Sequence, residues 1–190
     1  MNILEQIIAT KQQEVATARK QKSLAALEAE ATAITRQAYS LRAALLGSQT
    51  GIIAEFKRKS PSKGFIKELA EVTSIPTGYA QAGAAALSIL TDRDYFAGDL
   101  NDLQAARPHL SIPILRKDFI IDPYQICQAR IAGADAILLI AAASAKSGAA
   151  DRNVIFDSFF SSGSGTVLRR TSSSIAEAFI LSTAGPERTG

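Results

Sequence analysis

The chain of 190 residues contains no tryptophan, one cysteine, one histidine and one methionine, and only 6% of it is aromatic. A lone cysteine, Cys127, excludes an internal disulfide, and with His109 as the single histidine a zinc cage has too few soft ligands. No apolar run approaches the roughly 18–20 residues needed to span a bilayer, so no membrane span is expected. The opening segment, MNILEQIIATKQQEVATARKQK, is interrupted by acidic residues and leads into no cleavable apolar core, so a secretory signal is not expected either. GxGxxG, Walker and HExxH patterns are all missing, which leaves nucleotide and zinc chemistry without support. An excess of charge is missing too. Lys and Arg number 21 against 18 Asp and Glu, a net charge of +3 with a pI near 9.1. That mild positive balance suits an anionic substrate and is too dispersed to argue for nucleic acid. What remains, 47% hydrophobic and 21% charged in 20.1 kDa, is enough for one sizeable core. A cytoplasmic enzyme is the leading class.

Ile3, Ile7, Ile8 and Val15 recur near the helical period, with Lys11, Glu14 and Lys20 read as the wet face. Ser23 reads as the cap of a second helix through Leu24-Ala25-Ala26-Leu27-Glu28. From Gly51 the grammar changes. Gly51 to Lys57 is a strand, and Pro61, Ser62 and Gly64 mark a loop. A helix is predicted from about Val72 to Ala82, with Pro76 disturbing its start and Gly83 ending it. A second strand follows over Ala85 to Thr91, a short helix over Asp99 to Ala106, and a third strand over Ile112 to Phe119. Asp122-Pro123 pairs an N-cap with proline at the first helical position, opening a helix that stops near Gly133. Ala136 to Ala141 is the fourth strand.

Strand, loop, helix, strand at about 30 residues per unit predicts parallel βα units with right-handed crossovers. On pattern alone a barrel and an open doubly wound sheet both remain allowed. After Ser144 the grammar stops, the chain turns serine-rich, and only Ile175 to Leu181 reads as a short helix. Three segments result: a helical extension at 1–50, βα units at 51–144, and a weakly structured tail at 145–190.

Ligands of parallel βα folds sit at the carboxyl ends of the strands. Glu55 and Lys57 share a face of the first strand, and Lys117 lies near the end of the third with Phe119 two residues on. A lysine entering such a mouth needs a partner, and Glu55 or Asp118 offers one. The bland readings stand beside these: Lys57-Arg58-Lys59 as a solvated basic stretch, and Lys117 as a snorkelling strand-end residue. Cys127 reads as a small core residue and His109 as a surface or capping residue.

The run Ile52-Ile53-Ala54-Glu55-Phe56-Lys57-Arg58-Lys59-Ser60-Pro61-Ser62-Lys63-Gly64 resembles the signature of the indole-3-glycerol phosphate synthase family. Leu87 to Asp92, Tyr95 to Gly98, Pro113 to Ile120 and Gly133 to Ile140 resemble the same family in order and spacing, up to about Ser144. The resemblance implies an α/β protein of the (βα)8 TIM-barrel family. The reaction it implies closes the ring of 1-(2-carboxyphenylamino)-1-deoxyribulose 5-phosphate, with loss of carbon dioxide and water, without metal or organic cofactor. It also implies roles. Lys117 is the general acid at the substrate carbonyl, Lys57 holds anionic groups, and Glu55 orients the substrate. Ser60 is a polar contact, and Phe96, Phe119 and Leu138 line the anthranilate ring.

The family's later βα units, with a second catalytic glutamate and a phosphate clamp, have no counterpart after Ser144, and 190 residues fall short of the about 250 of a typical barrel. The tail reads as unrelated sequence joined where the fourth helix should begin, as a frameshift or an altered gene end would produce. The expected fold is therefore a half barrel of four parallel strands, open at the first and fourth, with self-association through those edges. Two functions follow as alternatives: a carboxy-lyase of tryptophan biosynthesis, or an inactive homologue serving as a binding or assembly fragment. Another phosphosugar barrel enzyme is a weaker third.

Overall fold

The computed structural model describes residues 2–140 with their side chains, and the backbone of strands 166–170 and 178–182. Three helices come first: α1 (Ile3–Gln21), α2 (Leu24–Ala33) and α3 (Leu41–Gly47). Asn2 and Glu5 form a capping box on α1, while Ser23 and Ser40 cap α2 and α3 through their hydroxyls. These bonds satisfy amide groups that a helix start otherwise leaves unpaired.

Four parallel strands follow: β1 (Ile53–Phe56), β4 (Ala86–Leu90), β5 (Ile114–Lys117) and β6 (Ala136–Ile140). Between β1 and β4 lie a short antiparallel ribbon, β2 (Lys59–Ser60) with β3 (Gly64–Phe65), and helix α4 (Ser74–Gln81). The ribbon occupies what the sequence suggested was plain loop. Pro76 is the third residue of α4, where a missing N–H costs nothing, so the helix tolerates it. A single turn, α5 (Arg93–Phe96), and α6 (Leu100–Ala106) connect β4 to β5, and α7 (Pro123–Ala132) connects β5 to β6. Asp122, Pro123 and Gln125 start α7 as a capping box with proline in the first turn, and Gly133 ends it at φ 94°. That conformation favours glycine.

Alternation along the strands separates two faces. Phe56, Leu87, Ile89, Ile114, Ile137 and Leu139 pack outward among residues of α6 and α7 in one apolar cluster. Ala86, Leu115 and Ala136 lie on the opposite, inner face, where Leu41 of α3 is fully buried against them with Ile53 and Leu138. The α3 helix therefore plugs the amino-terminal end of the inner face, leaving the carboxyl end for polar groups. Beneath it, buried Asp135 takes Arg36 and Arg107 at 2.7 Å each and the amides of Tyr39 and Ile114, tying the α2–α3 link to the sheet.

The tail differs from expectation. β7 (Thr166–Arg170) and β8 (Ala178–Ser182) are strands, and β8 pairs antiparallel with β6, giving the order β1-β4-β5-β6-β8-β7. The helix read over Ile175 to Leu181 is thus strand from Ala178 onward, its start lying outside the described residues. The fourth parallel strand is not an open edge. An apolar run beside an unsatisfied ladder pairs with it in preference to coiling alone, whereas β1 is the marginal strand of the sheet among the described residues.

Candidate functional site

Glu55, Ser88 and Lys117 occupy the inner face of β1, β4 and β5, one step beyond the apolar plug. Lys57 continues that face past the end of β1. Its Nζ donates to Glu55 Oε1 at 2.6 Å, while Lys117 Nζ stands 3.2 Å from Oε2. One carboxylate thus bridges two ammonium groups. Burial works to raise the Glu55 pKa, and the Lys57 hydrogen bond with the Lys117 charge outweighs it, so the group sits below the ordinary glutamate value.

Phe96 and Phe119 form the apolar side of this mouth, with ring centroids 6.3 Å apart and tilted by 36°. Lys117 Nζ lies 5.8 Å from the Phe96 ring centre, within cation–π range. Phe96 is fixed by a tight turn. Asp92 accepts the Tyr95 N–H at 2.8 Å, Gly98 N–H donates to the Asp92 carbonyl at 2.8 Å, and a Cβ at Gly98 would collide with the Leu90 carbonyl. The basic stretch is not a solvated face. Arg58 makes a two-pronged pair with Asp102 at 2.5 and 2.9 Å, and Lys59 donates to the Asp94 carbonyl at 3.0 Å. Leu138 shares the inner face but packs on the plug. Ser60 is partly exposed and accepts the Lys63 N–H at 3.2 Å within its own ribbon, apart from the lysine pair.

Asp118, the other partner the sequence offers Lys117, points away from it, as neighbours on a strand must. It is buried in a polar network instead. Its Oδ2 accepts from Thr91 at 2.7 Å and Arg116 at 2.9 Å, and Oδ1 accepts the Phe119 N–H at 2.8 Å. Lys11 reaches the same carboxylate from α1 at 3.1 Å, with Asp92 at 2.9 Å and Glu14 at 2.8 Å. Lys11 is 2% exposed, so its assignment to the wet face of α1 is wrong. Exposed His109 and half-buried Cys127 take no part; burial pushes the Cys127 thiol up, away from nucleophilic use.

A model of the family described as indole-3-glycerol phosphate synthase matches residues 4–151. The chain belongs to this family. Indole-3-glycerol phosphate synthases of Bacteroides thetaiotaomicron, Burkholderia multivorans and Dechloromonas aromatica are 52%, 49% and 50% identical to it, over 142, 144 and 145 residues. Each alignment covers 75% of this chain and 54% or 55% of the relative, so the chain spans about half the length of the curated relatives it matches. The indole-3-glycerol phosphate synthase family is a TIM barrel, and β1, β4, β5 and β6 are consistent with part of one. No helix among the described residues is long and apolar enough to cross a membrane.

The network behind the family's motif has a measurable signature. Burial alone would raise the Asp118 pKa, but the charges of Arg116 and Lys11, with the Thr91 hydrogen bond, bring it from 3.8 down to about 2. A depressed carboxyl stabilises the fold above its unfolded value and loses that contribution as pH falls through the folded one. Stability should therefore drop by about 2 kcal/mol between roughly pH 4 and pH 2. Urea unfolding across that range checks it; Asp118→Asn should be less stable at neutral pH and show a flatter acid limb. An equally steep limb in the variant would assign the loss to other groups.

Proposed function

We propose that this chain carries the carbonyl-protonating part of an indole-3-glycerol phosphate synthase site and acts on 1-(2-carboxyphenylamino)-1-deoxyribulose 5-phosphate in the cytoplasm. The observation that supports this most is Glu55 bridging Lys57 and Lys117 at the carboxyl ends of parallel strands, beside a pair of phenylalanines. An anionic substrate with a flat aromatic ring calls for cations next to an apolar slot. Lys117 gives a proton to the substrate carbonyl as the aromatic carbon attacks. Carbon dioxide and water then leave, and the ring regains aromaticity. Lys57 holds anionic groups in the ground state, Glu55 bridges and orients the two ammonium groups, and Phe96, Phe119 and Leu138 face the ring. Ser60 is a contact carried by the ribbon after β1.

The experiment joins residues 1–140 to the remaining half of the Burkholderia multivorans relative and follows indole-3-glycerol phosphate by fluorescence. Turnover by the completed barrel is expected; a folded chimera without turnover would sink the proposal. The 190-residue chain, assayed alongside, is expected to turn over little, because phosphate sites of such barrels come from loops after the seventh and eighth strands. A reading as an assembly fragment rests on the marginal position of β1, whose ladder groups suit pairing with a second copy. Size-exclusion chromatography on the same preparation decides it: a monomer at all concentrations would remove that reading.

A further inference from the structure

We propose that Ser88 is a positioning residue for Glu55, its hydroxyl taking over Glu55 Oε2 when Lys117 leaves that oxygen for the substrate. The inference rests on the function proposed above and adds a residue to that site. Glu55 lies on β1 and Lys117 on β5, so the bridge between them crosses over β4. Ser88 is the register partner of Glu55, and Leu90, next on that face of β4, is the partner of Lys117. Ser88 therefore stands under the bridge. Its other register partner is Leu115, and Ala86 and Leu90 flank it on its own strand, so its side-chain neighbours along these directions are apolar except for Glu55.

Ser88 is 4% exposed and its Oγ has no hydrogen-bond partner among the described residues. A buried hydroxyl left unbonded is costly, and an alanine or valine there would avoid the cost. The cost is recovered if the hydroxyl is used in another state of the site. In the structure both carboxylate oxygens already have ammonium partners, Lys57 at 2.6 Å and Lys117 at the looser 3.2 Å. For Lys117 to reach a carbonyl it must give up Oε2, and that oxygen is then vacated inside the mouth. Strands about 4.8 Å apart keep the serine within reach through rotation about a single bond. The hydroxyl then holds the carboxylate in place while Lys117 is engaged.

A double-mutant cycle on the 190-residue chain tests this without needing turnover. In the parent chain Ser88→Ala removes an unbonded group and should raise the urea midpoint. In the Lys117→Met background Oε2 is already vacated, Ser88 is its partner, and the same substitution should lower the midpoint. Equal shifts in the two backgrounds would overturn the proposal. In the completed barrel Ser88→Ala should lower kcat about tenfold with KM unchanged, the scale of one hydrogen bond to a charged group. An unchanged kcat would also overturn it. A barrel without any turnover counts against the proposed reaction and leaves the cycle to decide on Ser88.

Discussion

Lys117→Met in the completed barrel is expected to lower kcat by about 10²–10⁴-fold while leaving the fold intact, the usual scale for loss of a general acid. Methionine keeps the length and apolar stem of lysine and removes only the ammonium. The Lys117–Glu55 contact is partly exposed, so its loss should change stability by no more than about 1 kcal/mol. Glu55 retains Lys57 at 2.6 Å, and the Phe96–Phe119 pair does not depend on the ammonium for its packing. A large kinetic effect with a small stability effect is the signature of chemistry in place of scaffolding. Lys57→Ala supplies the contrast. Its ammonium acts on groups already charged in the ground state, so it should chiefly raise KM. Activity near that of the parent for Lys117→Met would remove Lys117 from the mechanism. A collapse of kcat at constant KM for Lys57→Ala would exchange the two roles.

The half of the site made by spacing is legible in the sequence. Residues two apart on a strand share a face, which is enough to join Glu55 to Lys57 and to set Lys117 and Phe119 toward the same mouth. The caps are legible for the same reason, since Ser23 and the Asp122-Pro123 pair act over two or three residues. What escaped is carried by contacts distant in sequence. Lys11 stands four residues from both Ile7 and Val15, on the apolar face of its helix; its charge and not its periodicity assigns it to water, and nothing local says that α1 crosses the loops holding Asp92 and Asp118. Arg116 in the middle of an apolar strand was the available signal: a guanidinium that is 5% exposed must have a carboxylate close by, and Asp118 was two residues away. The strand over Ala178–Ser182 escaped because an apolar run becomes a strand when an edge is there to pair with, and that edge is β6.

Lys11→Met should cost about 3–5 kcal/mol of stability, far more than the loss of an exposed helical lysine. The reason is what it leaves behind. Asp118 keeps Arg116 and Thr91, so its charge remains answered. Asp92 does not fare as well. It is 0% exposed; Oδ1 accepts the Tyr95 N–H, and Oδ2 has the Lys11 ammonium at 2.9 Å as its ion-pair partner, without a hydrogen bond of good geometry. Removing the ammonium strands a buried carboxylate, and methionine fills nearly the same volume, so no cavity confuses the reading. The damage should spread along two routes. The N-terminal helix loses its polar anchor on the loops after β4 and β5, and the Asp92-capped turn that fixes Phe96 loosens. Urea unfolding gives the first measure and limited proteolysis within α1 the second, with cleavage faster in the variant. The decisive control is Asp92→Asn on top of Lys11→Met, which removes the stranded charge and keeps an oxygen for the Tyr95 amide. Recovery of at least a third of the lost stability is expected. If the double variant is no more stable than Lys11→Met alone, the cost lies in the packing of α1 and not in the charge it brings to Asp92.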